Sequence, residues 1–87
     1  MFDTLDEAVE AFRAAGAENR RAHAQRDYVE MRAASDRIRA VSAFLRSRGR
    51  ADLIQPLTME WVTRGRDHEE HERYRKEVER LLRGADR

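Results

Sequence analysis

The sequence predicts an all-α fold: a small bundle of three long helices and one short helix around a long central helix, in a single domain over residues 1–87. Apolar residues recur at the three- and four-residue steps of an α-helix along most of the chain. The four glycines stand singly, each where such a stretch stops, as helix terminators do. A chain of this length forms one domain and buries only about 60 to 65% of its unfolded surface.

A capping box opens the first predicted helix. Thr4 stands three residues before Glu7, the spacing at which a hydroxyl and a carboxylate satisfy each other's backbone donors. Gly16 favours the left-handed conformation that ends a helix, so this helix is predicted over residues 5–15. Its apolar residues at helical spacing are Leu5, Val9 and Phe12.

The central helix is predicted over residues 17–48, because no helix-breaking residue occurs in this stretch before Gly49. At ~1.5 Å per residue it would be a rod of roughly 48 Å, longer than any partner helix that the chain supplies. Its main apolar seam alternates steps of three and four residues. The seam consists of Tyr28, Met31, Ser35, Ile38, Ser42 and Leu45, widened by Ala34 and Val41.

A second, weaker seam lies nearly opposite and carries mostly small residues, which let another helix approach closely. It consists of Ala22, Val29, Ala33, Ala40 and Phe44. A core as thin as this one usually contributes only about 3 to 5 kcal/mol, and self-association is a way to supply more. We therefore predict a homodimer in which Val29, Ala33, Ala40 and Phe44 contact the second copy.

The most apolar stretch of the chain predicts a short helix over residues 56–64. Pro56 suits the first turn of a helix, where its missing N–H has no intrahelical partner, and Gly65 stops the helix. Trp61 is predicted to be buried against the main seam of the central helix. The other large apolar residues of this helix are Leu57, Met59 and Val62.

The last helix is predicted to begin at the capping pair Asp67 and Glu70 and to end at Gly84. One narrow apolar stripe consists of Tyr74, Val78, Leu81 and Leu82. The opposite face is charged, with acidic and basic residues four apart in the favourable orientation. These pairs are Glu69 with Arg73, Glu72 with Lys76, and Glu79 with Arg83.

No set of residues predicts catalysis, a metal site or a cofactor, so we predict that the chain is not an enzyme. It has no Cys, which excludes thiolate ligands and cysteine nucleophiles. His68 and His71 stand one helical turn apart, but their order is not that of a zinc-binding His-Glu-x-x-His helix. We interpret them as part of a solvated, charged first turn, with His71 at the edge of the packed stripe. The glutamates of the last helix lack the dry cleft that general acid–base catalysis needs.

The basic character lies in the middle of the chain. Residues 17–50 hold nine arginines and four acidic residues, a net charge of +5, whereas residues 1–16 have −3 and residues 51–87 have −1. Residues seven apart stay nearly in line on a helix, which gives two predicted partner-binding rows. The first row is Arg32, Arg39 and Arg46, and the second is Arg26, Arg37 and Arg48. Guanidinium groups bind carboxylates and phosphates equally well, so an acidic protein, nucleic acid or a solvated flank all stay open.

The segment SDRIRAVSAFLRSRGRADLIQPLTMEWVT, residues 35–63, resembles part of the helical core-binding domain of tyrosine recombinases and integrases. The matching positions are Ile38, Val41, Phe44, Leu45, Gly49, Ile54, Leu57, Trp61 and Val62. The resemblance implies DNA binding by basic helix faces, with contacts expected at Arg39, Arg46, Arg48 and Arg50. The catalytic Arg, His and Tyr domain of that family is absent from the sequence, so the resemblance implies a DNA-binding or recombinase-modulating module without catalysis.

The sequence thus predicts a non-catalytic protein–protein interaction module, an adaptor, inhibitor or assembly subunit, with DNA binding through the central helix as the alternative. The net charge of +1 favours the protein partner, because a dedicated DNA reader usually presents a more strongly basic face. No apolar run approaches the ~20 residues of a membrane span, and the acidic start lacks the layout of a signal peptide. We therefore expect a cytoplasmic protein without a membrane partner.

Overall fold

The computed structural model describes residues 2–84 and is all-α, as the sequence predicts. Its helices are α1 (Leu5–Gln25), α2 (Tyr28–Ser47), α3 (Ile54–Thr63) and α4 (His68–Gly84), and a single 3-10 turn (Ala51–Leu53) precedes α3. Three of these helices are long and α3 is short. α1 and α2 form one helical hairpin, α3 and α4 form a second, and the two hairpins meet chiefly where α1 contacts α3. None of the helices in residues 2–84 is both long and apolar enough to cross a membrane.

α1 continues through Gly16, where the sequence predicts its end. The predicted central helix over residues 17–48 is therefore divided between α1 and α2, and that boundary prediction is wrong. A glycine inside a helix costs about 0.5 to 1 kcal/mol relative to alanine. Packing offsets this cost, because a Cβ atom on Gly16 would lie 2.9 Å from Cδ1 of Trp61, too close for any residue with a side chain to fit without movement.

The break between α1 and α2 lies at Arg26 and Asp27. Arg26 ends α1 in the left-handed conformation, with φ of 56°. Asp27 caps α2, because its Oδ1 accepts a hydrogen bond from the backbone N–H of Glu30 at 3.1 Å. Asp27 and Glu30 have the spacing of a capping box, so the sequence contains a signal for the start of this helix. No glycine or proline marks the turn before it.

The half of this hairpin next to the turn, residues 15–35, is named the hairpin tip. Its two helices meet through small side chains. The amide of Asn19, which is 6% exposed, donates from Nδ2 to the carbonyl oxygen of Met31 and to Oγ of Ser35, both at 3.3 Å. The buried alanines of the tip are Ala15, Ala22 and Ala34. Small residues let the helices approach closely, and the amide fixes their relative register.

The hydrophobic core lies at the other end of the hairpin, where side chains from all four helices meet. Its largest fully buried side chains are Val9, Phe12, Val41, Leu45, Leu53, Leu57 and Val78. The main seam predicted for the central helix is buried at Val41 and Leu45, but Tyr28 at its start is 71% exposed. The seam enters the core only through the C-terminal half of α2.

The second hairpin follows its local sequence signals. Pro56 lies in the first turn of α3 and is buried. Gly65 has φ of 80° in the turn after α3. Oδ1 of Asp67 accepts a hydrogen bond from the backbone N–H of Glu70 at 3.1 Å, which confirms the predicted capping pair. Val78 anchors α4 in the core.

Candidate functional site

The first predicted arginine row lies on the solvent side of α2. Arg32, Arg39 and Arg46 are all exposed. Nη1 of Arg39 lies 3.2 Å from Oδ1 of Asp36, and surface pairs of this kind contribute only about 0 to 1 kcal/mol. The row therefore presents cationic side chains along roughly 21 Å of helix surface.

The second predicted row does not form. Arg26 lies in the turn before α2 and not on the helix. Arg37 is held within the chain by Glu18 and by Glu30, with its Nη2 3.0 Å from Oε1 of Glu30. The hydrogen bond to Glu30 and the charge of Glu18 raise the pKa of Arg37. Because the helix begins only at Tyr28 and Arg37 is neutralised, these residues do not make a continuous cationic line.

The predicted self-association face loses one of its four residues to the core. Phe44 is only 7% exposed, and its ring centroid lies 5.3 Å from that of Phe2 in an edge-to-face contact. The guanidinium carbon of Arg48 lies 4.8 Å from the same centroid. Phe2 and Arg48 therefore cover Phe44, which the sequence predicts to contact a second copy. The residues that stay on the outer side of α2 are Val29, Ala33 and Ala40.

A groove of about 540 Å³ lies between α1, α3 and the start of α4, and is named the α1–α3 groove. Its apolar lining residues are Phe12, Ala17, Ala24, Leu57 and Trp61. Its charged and polar lining residues are Arg13, Arg20, Arg21, Glu60, Arg64, His71 and Arg75. With five arginines and one glutamate, the lining is strongly positive in a molecule that is nearly neutral overall.

Trp61 is the largest apolar residue that lines the α1–α3 groove. It is half-buried, and its indole packs against Gly16 of α1. The prediction that it is buried against the main seam of α2 is wrong, because the turn at Arg26 places α1 and not α2 beside α3. The indole occupies the space that the missing side chain of Gly16 leaves, which fixes the orientation of the ring.

Arg20 joins the hairpin tip to the end of α3. Its Nη1 donates to the carbonyl oxygen of Arg64 and its Nη2 donates to that of Trp61. Carbonyls at the C-terminal end of a helix have no further helical N–H to accept from and carry partial negative charge. Arg20 satisfies these carbonyls, so its guanidinium is held in a fixed position in the groove.

Arg13 and Glu60 clamp α1 to α3 through a bidentate ion pair. Nε of Arg13 lies 3.0 Å from Oε1 of Glu60, and Nη2 lies 3.3 Å from Oε2. Burial lowers the pKa of Arg13, but the hydrogen bonds and charges of Glu60 and Glu10 outweigh this effect and raise it. Glu60 is only 6% exposed. Both oxygens of Glu60 therefore bind Arg13.

Two arginines of the groove are not neutralised by the part of the chain that the structure describes. Arg21 and Arg64 are exposed, and neither side chain pairs with a carboxylate among residues 2–84. Arg75, by contrast, is bound bidentately by Glu72, with Nε–Oε1 and Nη2–Oε2 distances of 3.2 and 2.8 Å. The hydrogen bond and charge of Glu72 raise the pKa of Arg75. Unpaired positive charge and an exposed aromatic surface thus occur in one groove.

The two histidines of α4 have different surroundings. Nδ1 of His71 lies 2.8 Å from the carbonyl oxygen of Glu60, and since a carbonyl only accepts, this nitrogen carries the proton in that contact. His68 is the first residue of α4 and is exposed. Within residues 2–84, His, Asp and Glu side chains form no group of three or more that could hold a metal ion. His71 therefore links α4 to α3 at the groove.

The sequence did not predict the α1–α3 groove, because the groove assembles residues from three helices. The sequence predicts that the first helix ends at Gly16, and this prediction gives no indication of the contact between Gly16 and Trp61. Arg20 belongs to neither predicted row, and Arg21 lies only near the extension of the first row on the predicted central helix. A lone Trp together with a glycine inside an amphipathic helix was the available signal, since such a glycine can mark a close contact with a bulky side chain.

Comparison of the chain with protein-family models, with curated proteins and with solved structures gives no match. The chemistry of the α1–α3 groove and of the exposed face of α2 is therefore the basis for a functional assignment.

Proposed function

We propose that this chain is a non-catalytic protein–protein interaction module, an adaptor, inhibitor or assembly subunit, that binds its partner in the α1–α3 groove. The observation that carries the proposal is the combination of half-buried Trp61 with the unpaired arginines Arg21 and Arg64 in one concave site. Trp and Arg are enriched among the residues that dominate protein–protein binding energies. Such a site buries an apolar side chain of a partner and binds the carboxylates of that partner.

The proton-transfer groups of the groove support a binding role over catalysis, because they already make structural contacts. Glu60 binds Arg13 through both of its oxygens, and Nδ1 of His71 contacts the carbonyl oxygen of Glu60. General acid–base catalysis needs such a group within hydrogen-bond reach of the substrate. A binding role depends instead on Trp61 and the arginines.

Affinity capture from the source organism, in the presence of nuclease, tests the proposal. The groove variant combines Arg21→Glu with Arg64→Glu, and the matched control combines Lys76→Glu with Arg83→Glu on α4. All four side chains are exposed, so circular dichroism and Tm should show both variants folded. We expect the wild type and the control to capture the same proteins, and the groove variant to lose them.

A third variant, Arg32→Glu with Arg39→Glu, distinguishes the groove from the first arginine row. If this variant loses partners that the groove variant still captures, the binding surface lies on α2 and not in the groove. Capture that disappears when nuclease is added would contradict protein binding and favour nucleic acid.

DNA binding is the second candidate function, and the exposure of Arg32, Arg39 and Arg46 on one line of α2 supports it. The resemblance of residues 35–63 to recombinase core-binding domains implies the same role. If the row binds phosphates, the slope of log K against log salt should be about −0.9 per phosphate neutralised. Replacing all three with Gln should then reduce the slope by about three units, and binding weaker than about 10⁻⁴ M at physiological salt would contradict this candidate.

We also propose that the chain forms a homodimer through the outer face of α2. The supporting observation is the exposed apolar pair at the start of this helix, where Tyr28 is 71% and Val29 is 83% exposed. Ala40 lies on the same outer side of the helix and is exposed. A second copy would remove this apolar surface from water.

A further inference from the structure

The α1–α3 groove carries more positive charge than the described part of the chain neutralises. Arg13 and Arg75 are paired with Glu60 and Glu72, whereas Arg21 and Arg64 pair with no carboxylate among residues 2–84. A guanidinium group binds a carboxylate through two parallel hydrogen bonds, with defined geometry. The groove is therefore complementary to a ligand that carries at least two anionic groups.

The groove also contains a fixed apolar surface. The indole of Trp61 is held by its contact with Gly16, and Ala17 and Ala24 line the groove with methyl groups only. A volume of about 540 Å³ lies within the range of clefts that bind ligands, roughly 300 to 1,000 Å³. These features fit a large apolar side chain that packs on the indole.

The groove offers no backbone pairing to its ligand. Its lining comes from α1, α3 and α4, whose backbone groups are bonded within the helices, and from Arg64 directly after α3. Arg20 already occupies the carbonyls of Trp61 and Arg64. A peptide buried there must satisfy its own backbone groups, which an α-helix does and an extended strand does not. Along α1 the lining from Arg13 to Ala24 is about 17 Å long, the length of roughly three helical turns.

Building on the proposed function, we infer that the occupant of the α1–α3 groove is an acidic amphipathic helix of a partner protein. Its largest apolar side chain packs against Trp61, and carboxylates on either side of that residue bind Arg21 and Arg64. In this binding mode an amphipathic helix lies in a groove and contacts it through apolar side chains that are three and four residues apart. Specificity for acidic helices follows from the unpaired guanidinium groups, because a neutral or basic helix leaves them without counter-charge.

Peptide display on the folded protein tests this inference even though the partner is unidentified. A library of random peptides of about 16 residues, enough for roughly four helical turns, is selected on the wild type and counter-selected on the Arg21→Gln, Arg64→Gln variant. We expect enriched peptides to be net negative, with Leu, Ile, Phe or Met at three- and four-residue steps. Enrichment of neutral or basic peptides, or no enrichment that depends on the two arginines, would overturn the inference.

Fluorescence then measures binding of the most enriched peptide, synthesised without Trp. Trp61 is the only Trp in the sequence, so a blue shift of its emission reports burial of the indole. We expect the affinity to fall at least about tenfold for the Arg21→Gln, Arg64→Gln variant and for a peptide with Gln in place of its acids. The matched variant Lys76→Gln, Arg83→Gln should bind like the wild type. Equal affinity of the acidic and Gln peptides would contradict the inference.

Different results would contradict the proposed function and the inference of an acidic helix. If partners captured from the organism depend on the groove but the selected peptides are not acidic, the proposed function stands and the acidic helix is wrong. If neither captured proteins nor selected peptides depend on Arg21 and Arg64, both are wrong. If duplex DNA shifts the emission of Trp61 in a manner that requires the two arginines, the groove binds nucleic acid and the inference is wrong.

Discussion

The two ends of the α1–α2 hairpin are held together by different interactions. At the core end, Phe12, Val41 and Leu45 are at most 1% exposed and pack against side chains from the rest of the fold. At the hairpin tip the buried residues are alanines, Gly16 and one amide, Asn19, while Val29 is 83% exposed. Full burial of a large apolar side chain contributes about 1.5 to 3 kcal/mol, whereas a hydrogen bond contributes about 0.5 to 1.5 kcal/mol net.

The tip therefore depends less on the burial of large apolar side chains than the core end does. The tip relies on polar contacts: Asn19 bridges the two helices, Arg37 pairs with Glu18 and Glu30, and Arg20 joins the tip to α3. Regions with few buried apolar contacts open at lower free energy than a core. Arg20 and Arg21 of the α1–α3 groove and Arg32 of the first arginine row lie at the tip, whereas Phe12 and Leu57 extend the lining of the groove to the apolar core.

The largest effect is expected at the core end. Leu45→Ala should lower the free energy of unfolding by about 2 to 5 kcal/mol, because Leu45 is fully buried and truncation leaves a cavity. Chemical denaturation measures the loss. Val29→Ala, an apolar truncation at the tip, should change the stability of the isolated chain by less than about 0.5 kcal/mol. Similar losses of unfolding free energy for the two variants would contradict the difference between the two ends of the hairpin.

The contact between Gly16 and Trp61 should give the next largest effect. Gly16→Ala places a Cβ atom 2.9 Å from Cδ1 of the indole, so we expect it to cost about 1 to 3 kcal/mol and to shift the emission of Trp61 to longer wavelength. Adding Trp61→Leu removes the ring and should make Gly16→Ala stabilising by up to about 1 kcal/mol, as helix propensity dictates. Stabilisation by Gly16→Ala alone would show that the indole does not pack there.

Asn19→Ala tests the polar contacts of the tip. Loss of the hydrogen bonds to Met31 and Ser35 should lower stability by about 1 kcal/mol, which makes amides of the tip exchange with solvent roughly fivefold faster. Hydrogen exchange followed by NMR measures the change. Gln25→Ala, at an exposed position of the same tip, is the control. Exchange rates equal to those of the wild type would mean that the amide does not hold the helices together.

The smallest effect on folding is expected for Ala40→Glu, because Ala40 is exposed on α2. The stability of the isolated chain should change by less than about 0.5 kcal/mol. Light scattering at micromolar concentration should nevertheless show a change from about twice the chain mass of 10.2 kDa to the chain mass itself. A wild type that is already monomeric would contradict the homodimer, and an unchanged mass in the variant would place the contact elsewhere.

Local features of the sequence predicted much of the fold. The caps at Thr4 and Asp67 are confirmed, since Glu7 donates its backbone N–H to Oγ1 of Thr4 at 3.1 Å and Glu70 does the same to Asp67 at 3.1 Å. The ends of α3 and α4 lie within about two residues of their predicted places. The candidate sites were harder to predict, because the sequence of one helix does not show which of its arginines form ion pairs with acidic residues of another helix.

The sequence by itself determined the all-α class and most helix ends, because periodicity and capping depend on residues within one or two turns of each other. Only the tertiary structure decided that Gly16 continues a helix, that Glu18 neutralises Arg37, and that Trp61 faces a groove. Each of these outcomes depends on contacts between residues far apart in the chain. Gly16 is tolerated in α1 because an indole from α3 fills its space, and Arg21 and Arg64 share a groove because α1 and α3 pack together.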